Sequence, residues 1–214
     1  ESGVLEDPWV SPPEDCYQWT RSLDEAPSKP TYIEIEFAKG IPKKINGKGY
    51  GGIELIEKLN KTGSLNGIGR SDMIENRLVG IKSREIYEAP AATILYLAHR
   101  ELEALVLDRE TAHYKETIAL KYAELIYYGL WYSKLRTALD KFIGETQKNV
   151  SGVIRLKLYK GNCAVTGRSS PYSLYKQTLA TYSKGDKFDQ RLSEGFIRIF
   201  ALPFSQATPT RRVS

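Results

Sequence analysis

The chain has 214 residues, 41% of them hydrophobic and 27% charged, which suits one medium domain with a core large enough to fold without staples. The net charge is +5, but residues 1–30 hold seven acids and two bases, so the remainder carries +10. No stretch approaches the roughly 18 consecutive apolar residues of a membrane span, no apolar leader core stands near the start, and two cysteines, Cys16 and Cys163, exclude a disulfide framework or a zinc cluster.

Glu1 opens the chain and Met73 is its only methionine, so a processed product or a piece of something longer is expected. Residues 1–30 read as an extended arm, because Pro8, Pro12, Pro13, Pro27 and Pro30 forbid a long helix or a central strand. Trp9, Tyr17 and Trp19 imply that the arm packs on something.

Thr31 to Phe37 alternates as a half-buried strand with Ile33, Ile35 and Phe37 on one face. A turn at Gly40-Ile41-Pro42 leads to a returning strand, Lys43 to Asn46, and Asn46-Gly47 is the next turn. Gly51 to Leu59 reads as a short helix with Ile53, Ile56 and Leu59 inward. Ser71 to Val79 is expected to be a strand, followed by a charged loop up to Pro90. The middle is helical. Pro90 suits the first turn of a helix whose inner face is Ala91, Leu95, Ala98, Leu102 and Leu105. A second helix spans about Tyr114 to Tyr128, and a third holds Leu135, Leu139, Phe142 and Ile143.

Strands return at Gly152 to Tyr159 and Ala164 to Gly167, around a turn at Gly161-Asn162. Ser173-Leu174-Tyr175 starts a short helical turn. Glu194 to Leu202 is a final helix that Pro203 stops, leaving a polar tail with Arg211-Arg212. The expected fold is α+β: a mixed or antiparallel sheet packed with three central helices, an extended arm over 1–30, a main domain over 31–202 and a basic tail over 203–214.

Bottom-up screening finds no catalytic constellation. The glycines of GKGYGG lack the strand–helix context of a dinucleotide loop, and no Gly-x-x-x-x-Gly-Lys phosphate loop exists. His99 and His113 have no metal-ligand spacing. The Arg211-Arg212 pair is too short for a nucleic-acid arm. One stretch is unusual: residues 70–90 crowd Asp72, Glu75, Asn76, Arg77, Lys82, Arg84, Glu85, Tyr87 and Glu88 among few apolar residues. Acids and bases mixed at short spacing suit a zwitterionic ligand such as an amino acid, although a solvated loop has the same composition.

The segment GRSDMIENRLVGIKSREIYEAPAATIL resembles a hallmark of the argininosuccinate synthases. ESGVLEDPW, YIEIEFAKGIPKKING, LKYAELIYYGLWYS, GRSSPYSLY and GDKFDQRLSEGFI agree in order, and SREIYEAP resembles the cyanobacterial and plant branch. The resemblance covers nearly the whole chain, but only the C-terminal, synthetase half of the family. The N-terminal half, with its Ser-Gly-Gly-x-Asp loop for ATP, has no counterpart here, and a citrulline-binding serine of the family would lie just upstream of Glu1.

Several expectations come with the resemblance. The complete enzyme joins citrulline to aspartate at the expense of ATP, with magnesium, through citrullyl-AMP. Glu75 and Tyr87 would bind citrulline; no catalytic or metal-ligating residue is carried over, and this half would bind no cofactor of its own. The implied partners are the ATP-binding half and further copies of the chain, as in the family tetramer, with no nucleic acid and no membrane span. The location would be intracellular, in cytoplasm or plastid. Alone, the chain is expected not to make argininosuccinate. The alternative is a non-catalytic structural subunit of a larger assembly. Ser71 departs from a family Ile, and Lys134 from a Pro that commonly follows Trp-Tyr-Ser.

Overall fold

The structure is a computed structural model that describes residues 3–180 and 188–207. It divides into two compact units, residues 1–174 and 175–214. The α+β class holds.

Unit one is built on a five-stranded antiparallel sheet in the order β3-β2-β1-β6-β7. The strands are β1 (Thr31–Ala38), β2 (Ile41–Ile45), β3 (Lys48–Gly49), β6 (Gly152–Tyr159) and β7 (Asn162–Ser169). The period-two pattern of β1 explains its central place. Ile33, Ile35 and Phe37 are buried, and Ile33 and Ile35 sit opposite Leu156 and Ile154 of β6. The β2–β3 turn forms at Asn46-Gly47, both in the left-handed region. The other two turns are displaced by a residue or two. Lys39-Gly40 and Lys160-Gly161 carry the positive φ values, so Ile41 and Asn162 already belong to strands.

Helix α2 (Pro90–Val106) lies on this sheet, and α1 (Gly52–Leu65) packs beside it. The inner face of α2 is Ala91, Ile94, Ala98, Leu102 and Val106; Leu95 and Leu105 are only partly buried. Helix α1 runs six residues further than expected and turns a different face inward. Leu55, Leu59 and Gly63 are buried while Ile53 is exposed. Steps of four keep these three within one narrow stripe, and Gly63 lets the helices approach, since a Cβ there would stand 2.7 Å from Pro90 Cβ. Leu59, Ile94, Leu102, Ile154, Leu156 and Leu158 are fully buried, each worth about 1.5–3 kcal/mol.

Helices α3 (Arg109–Tyr127) and α4 (Lys134–Thr146) pack on each other, joined by a 2.6 Å bond from the Tyr122 hydroxyl to Asp140. Both begin on a side-chain cap, Asp108 and Ser133, which accept from Thr111 N and Arg136 N. Gln147 ties them to α2: it meets His99 at 2.9 Å and donates to Glu103 at 2.6 Å, while Lys115 reaches Glu103 at 3.1 Å.

The stretch expected as strand and charged loop is instead a β-hairpin, β4 (Arg70–Asn76) with β5 (Lys82–Glu88), a separate two-stranded sheet. The arm is not simply extended. It holds two 3-10 turns, Gly3–Glu6 and Glu14–Cys16.

Unit two contains α5 (Gln177–Ala180) and α6 (Leu192–Ala207). The short turn forms at Gln177, not at Ser173. Pro203 lies inside α6 rather than ending it; one proline removes one N–H from the ladder without preventing continuation. The Arg211-Arg212 tail lies outside the described residues.

Candidate functional site on the β4–β5 hairpin

Pairing in the hairpin is Arg70↔Glu88, Ser71↔Tyr87, Asp72↔Ile86, Met73↔Glu85, Ile74↔Arg84, Glu75↔Ser83 and Asn76↔Lys82. Because side chains alternate, Arg70, Asp72, Arg84 and Glu88 share one face, and Ser71, Met73, Glu75, Ser83, Glu85 and Tyr87 share the other.

An isolated two-stranded hairpin is marginal in water. The N-terminal arm supplies the missing support on the first face. The Glu88 carboxylate accepts from the backbone N–H groups of Gln18, Trp19 and Thr20 and from the Thr20 hydroxyl. Burial works against its charge, but these donors outweigh that and hold its pKa below the usual carboxylate value. Arg70 makes two bonds to Glu14 and one to the Thr20 carbonyl, and its guanidinium stacks 3.9 Å from the Tyr17 ring centroid. Arg84 clamps Asp72 through two nitrogens at 2.6 and 2.8 Å and donates to the Asp7 carbonyl. Two bonds from the guanidinium lower the Asp72 pKa.

The second face carries Glu75 and Tyr87. The Tyr87 hydroxyl donates to Glu75 Oε1 at 3.1 Å. Burial first, then this bond and the Glu75 charge, raise the Tyr87 pKa, so the phenol stays protonated. Tyr87 is 43% exposed. Lys82 bonds Asn76 at 3.0 Å on the opposite face. Ser71 is exposed, so the hydroxyl at this departure from the family pattern needs no buried partner. At the hairpin tip Tyr127 of α3 donates to the Asn76 carbonyl at 3.0 Å.

The two residues expected at the site are thus brought together, four positions apart along the hairpin. Of the residues that support it, Arg70, Thr20 and Glu88 were missed as such. Their signal was there: Gly80 sits between two seven-residue runs, Arg70–Asn76 and Lys82–Glu88. A cleft lies elsewhere among the described residues. About 1000 Å³ opens between α2 and α3, lined by Leu95, His99, Lys115 and Tyr122, and neither Glu75 nor Tyr87 lines it. Among the described residues no group of three His, Cys, Asp or Glu side chains is suited to a metal ion. No helix among them is long and apolar enough to cross a membrane.

The family model for the arginosuccinate synthase C-terminal domain matches residues 1–207. Argininosuccinate synthases from Chlorobium phaeobacteroides and Chlorobium luteolum are each 56% identical over 214 residues, covering 99% of this chain and 54% of their own length. The Gloeobacter violaceus argininosuccinate synthase is 56% identical over 203 residues, covering 95% of this chain and 51% of its own length. The chain thus spans about half the length of the curated relatives it matches. It belongs to the argininosuccinate synthase family and corresponds to the C-terminal domain of those enzymes.

Proposed function

We propose that this chain supplies citrulline contacts and oligomer contacts to an argininosuccinate synthase, whose ATP-binding half condenses citrulline with aspartate. The observation that carries the reading is the Glu75–Tyr87 pair on the second face of the hairpin, with the phenol 3.1 Å from the carboxylate. A carboxylate accepts a charge-assisted hydrogen bond from an α-ammonium group. A phenol held protonated donates or accepts at the same end of the substrate. Both side chains stand on strands braced from behind by the arm, so the backbone that carries them is held in place. ATP and magnesium supply the activation of citrulline, and that chemistry is assigned to the other half.

Helix α6 supports the oligomer part of the reading. Phe196, Phe200 and Phe204 stack along it at steps of four, and Ile197, Ile199 and Leu202 are also exposed. A helix this apolar on several sides calls for a partner. The SREIYEAP resemblance supports a reading in which the work is done inside the cell, in cytoplasm or plastid.

The test is Glu75→Ala in the chain joined to an ATP-binding half of the family. Citrulline KM is expected to rise about 10- to 100-fold, the loss of one charge-assisted contact of roughly 1.5–3 kcal/mol. Unchanged KM and kcat would overturn the assignment.

A further inference from the structure

Ser83 stands directly across the hairpin from Glu75, on the face that also carries Tyr87. Its Oγ is sealed from solvent and has no hydrogen-bond partner, the one such side-chain atom among the described residues. Native proteins bond more than roughly nine in ten of their buried polar groups, so an orphan hydroxyl calls for a reason. Local strand chemistry offers none, because alanine or valine at the same position would leave nothing unpaired.

The neighbour across the strand offers one. Directly opposed residues place their Cβ atoms about 4.5–5.5 Å apart, and at that spacing a serine hydroxyl and a glutamate carboxylate meet through rotamer changes alone. In the ligand-free chain Glu75 Oε1 is turned to the Tyr87 hydroxyl. A carboxylate has about four acceptor sites, so it accepts a further donor readily.

We propose that Ser83 is a positioning residue for Glu75. When the α-ammonium group of an amino-acid ligand draws the carboxylate away from Tyr87, the Ser83 hydroxyl donates to it and fixes its orientation. The unpaired hydroxyl destabilises the free state and is satisfied in the bound one, so its cost to the free chain becomes affinity for the ligand. This role rests on the citrulline reading of Glu75 and adds the partner that holds the carboxylate in place.

Ser83→Ala, Ser83→Thr and Glu75→Ala separate the two. In the ligand-free 214-residue chain, Ser83→Ala is expected to leave the thermal midpoint unchanged or raise it, because an orphan polar atom is removed. In the chain joined to an ATP-binding half, the same variant is expected to raise citrulline KM about 5- to 20-fold with kcat within about twofold, a loss of binding common to ground and transition states. Ser83→Thr, which keeps the hydroxyl on a strand-compatible side chain, is expected to restore KM. A lowered midpoint in Ser83→Ala would make the residue structural and overturn the proposal. So would an unchanged KM, or a Thr variant as impaired as the Ala variant. If Glu75→Ala raises KM and Ser83→Ala does not, only the positioning role falls; if neither does, the citrulline reading falls with it.

Discussion

Arg70 and Glu88 are directly opposed on the β4–β5 hairpin, and the Thr20 hydroxyl joins them, accepting from Arg70 Nε at 2.7 Å and donating to Glu88 Oε1 at 2.5 Å. Thr20 is only 6% exposed. One hydroxyl of the arm thus satisfies a cation and an anion at once, and the arm, the hairpin and the entry to α2 become a single braced piece.

Glu88→Gln keeps the shape and removes the charge from three N–H donors and a hydroxyl. Hydrogen bonds to charged groups are worth roughly 1.5–3 kcal/mol. A loss of about 1–3 kcal/mol is expected, with trypsin cleavage after Arg21 becoming faster. Equal stability and equal cleavage rates would show that the arm is held by its apolar contacts alone.

The same carboxylate sets an acid limit. The Glu88 pKa is lowered in the folded chain, so its contribution is present above the unfolded value near 4.5 and is lost as pH falls through the folded pKa. Glu14 and Asp72, both lowered through bonds from Arg70 and Arg84, act in the same direction. Urea midpoints measured between about pH 6 and pH 3 are expected to fall with acidity. The slope should be shallower in Glu88→Gln, and a slope identical to that of the parent chain would remove Glu88 from the account.

Tyr87 gives an optical and magnetic handle on the site. Its pKa is raised, by burial first and by Glu75 second. The stability it confers is therefore present below about pH 10 and lost as pH rises through the folded value. Glu75→Gln is expected to lower the Tyr87 midpoint part of the way back, leaving the burial contribution. Carbon-13 tyrosine spectra, assigned with Tyr87→Phe, measure it; an unmoved midpoint means that the 3.1 Å contact is absent in solution.

Gly69 sits at φ +97°, and a Cβ there would lie 2.5 Å from Pro90 N, so the start of β4 runs tight against the start of α2. Gly69→Ala is expected to cost more than about 1 kcal/mol. It should also raise citrulline KM in the joined enzyme, because the hairpin must shift. A normal thermal midpoint with normal KM would contradict both.

Cys163 is pushed up to about 11 by burial. At pH 8 its thiolate fraction is therefore small, and alkylation by iodoacetamide should be slow and accelerate steadily towards pH 11. Peptide mass spectrometry follows the rate; fast, pH-independent modification would place the thiol in solvent.

Strands β1 and β6 and helix α2 were legible in the residues because each buries one face against a single core, and burial writes a period of 2 or 3.6 into the sequence. The hairpin was not. Its first face meets the charged and polar groups of the arm and its second carries Ser71, Glu75, Ser83, Glu85 and Tyr87, so neither face is apolar and no hydrophobic alternation marks it. The family hallmark named Glu75 and Tyr87, but it could not say that a phenol meets a carboxylate at 3.1 Å, since that contact depends on a register set by strand pairing. Arg70, Glu88 and Thr20 lie as much as 68 residues apart in the chain. Local pattern determined the inward faces of β1 and β6 and the place of α2, but not the face of α1 or the pairing of the hairpin. Only tertiary structure decided which charges meet, because an ion pair between distant segments leaves no periodic trace in the sequence.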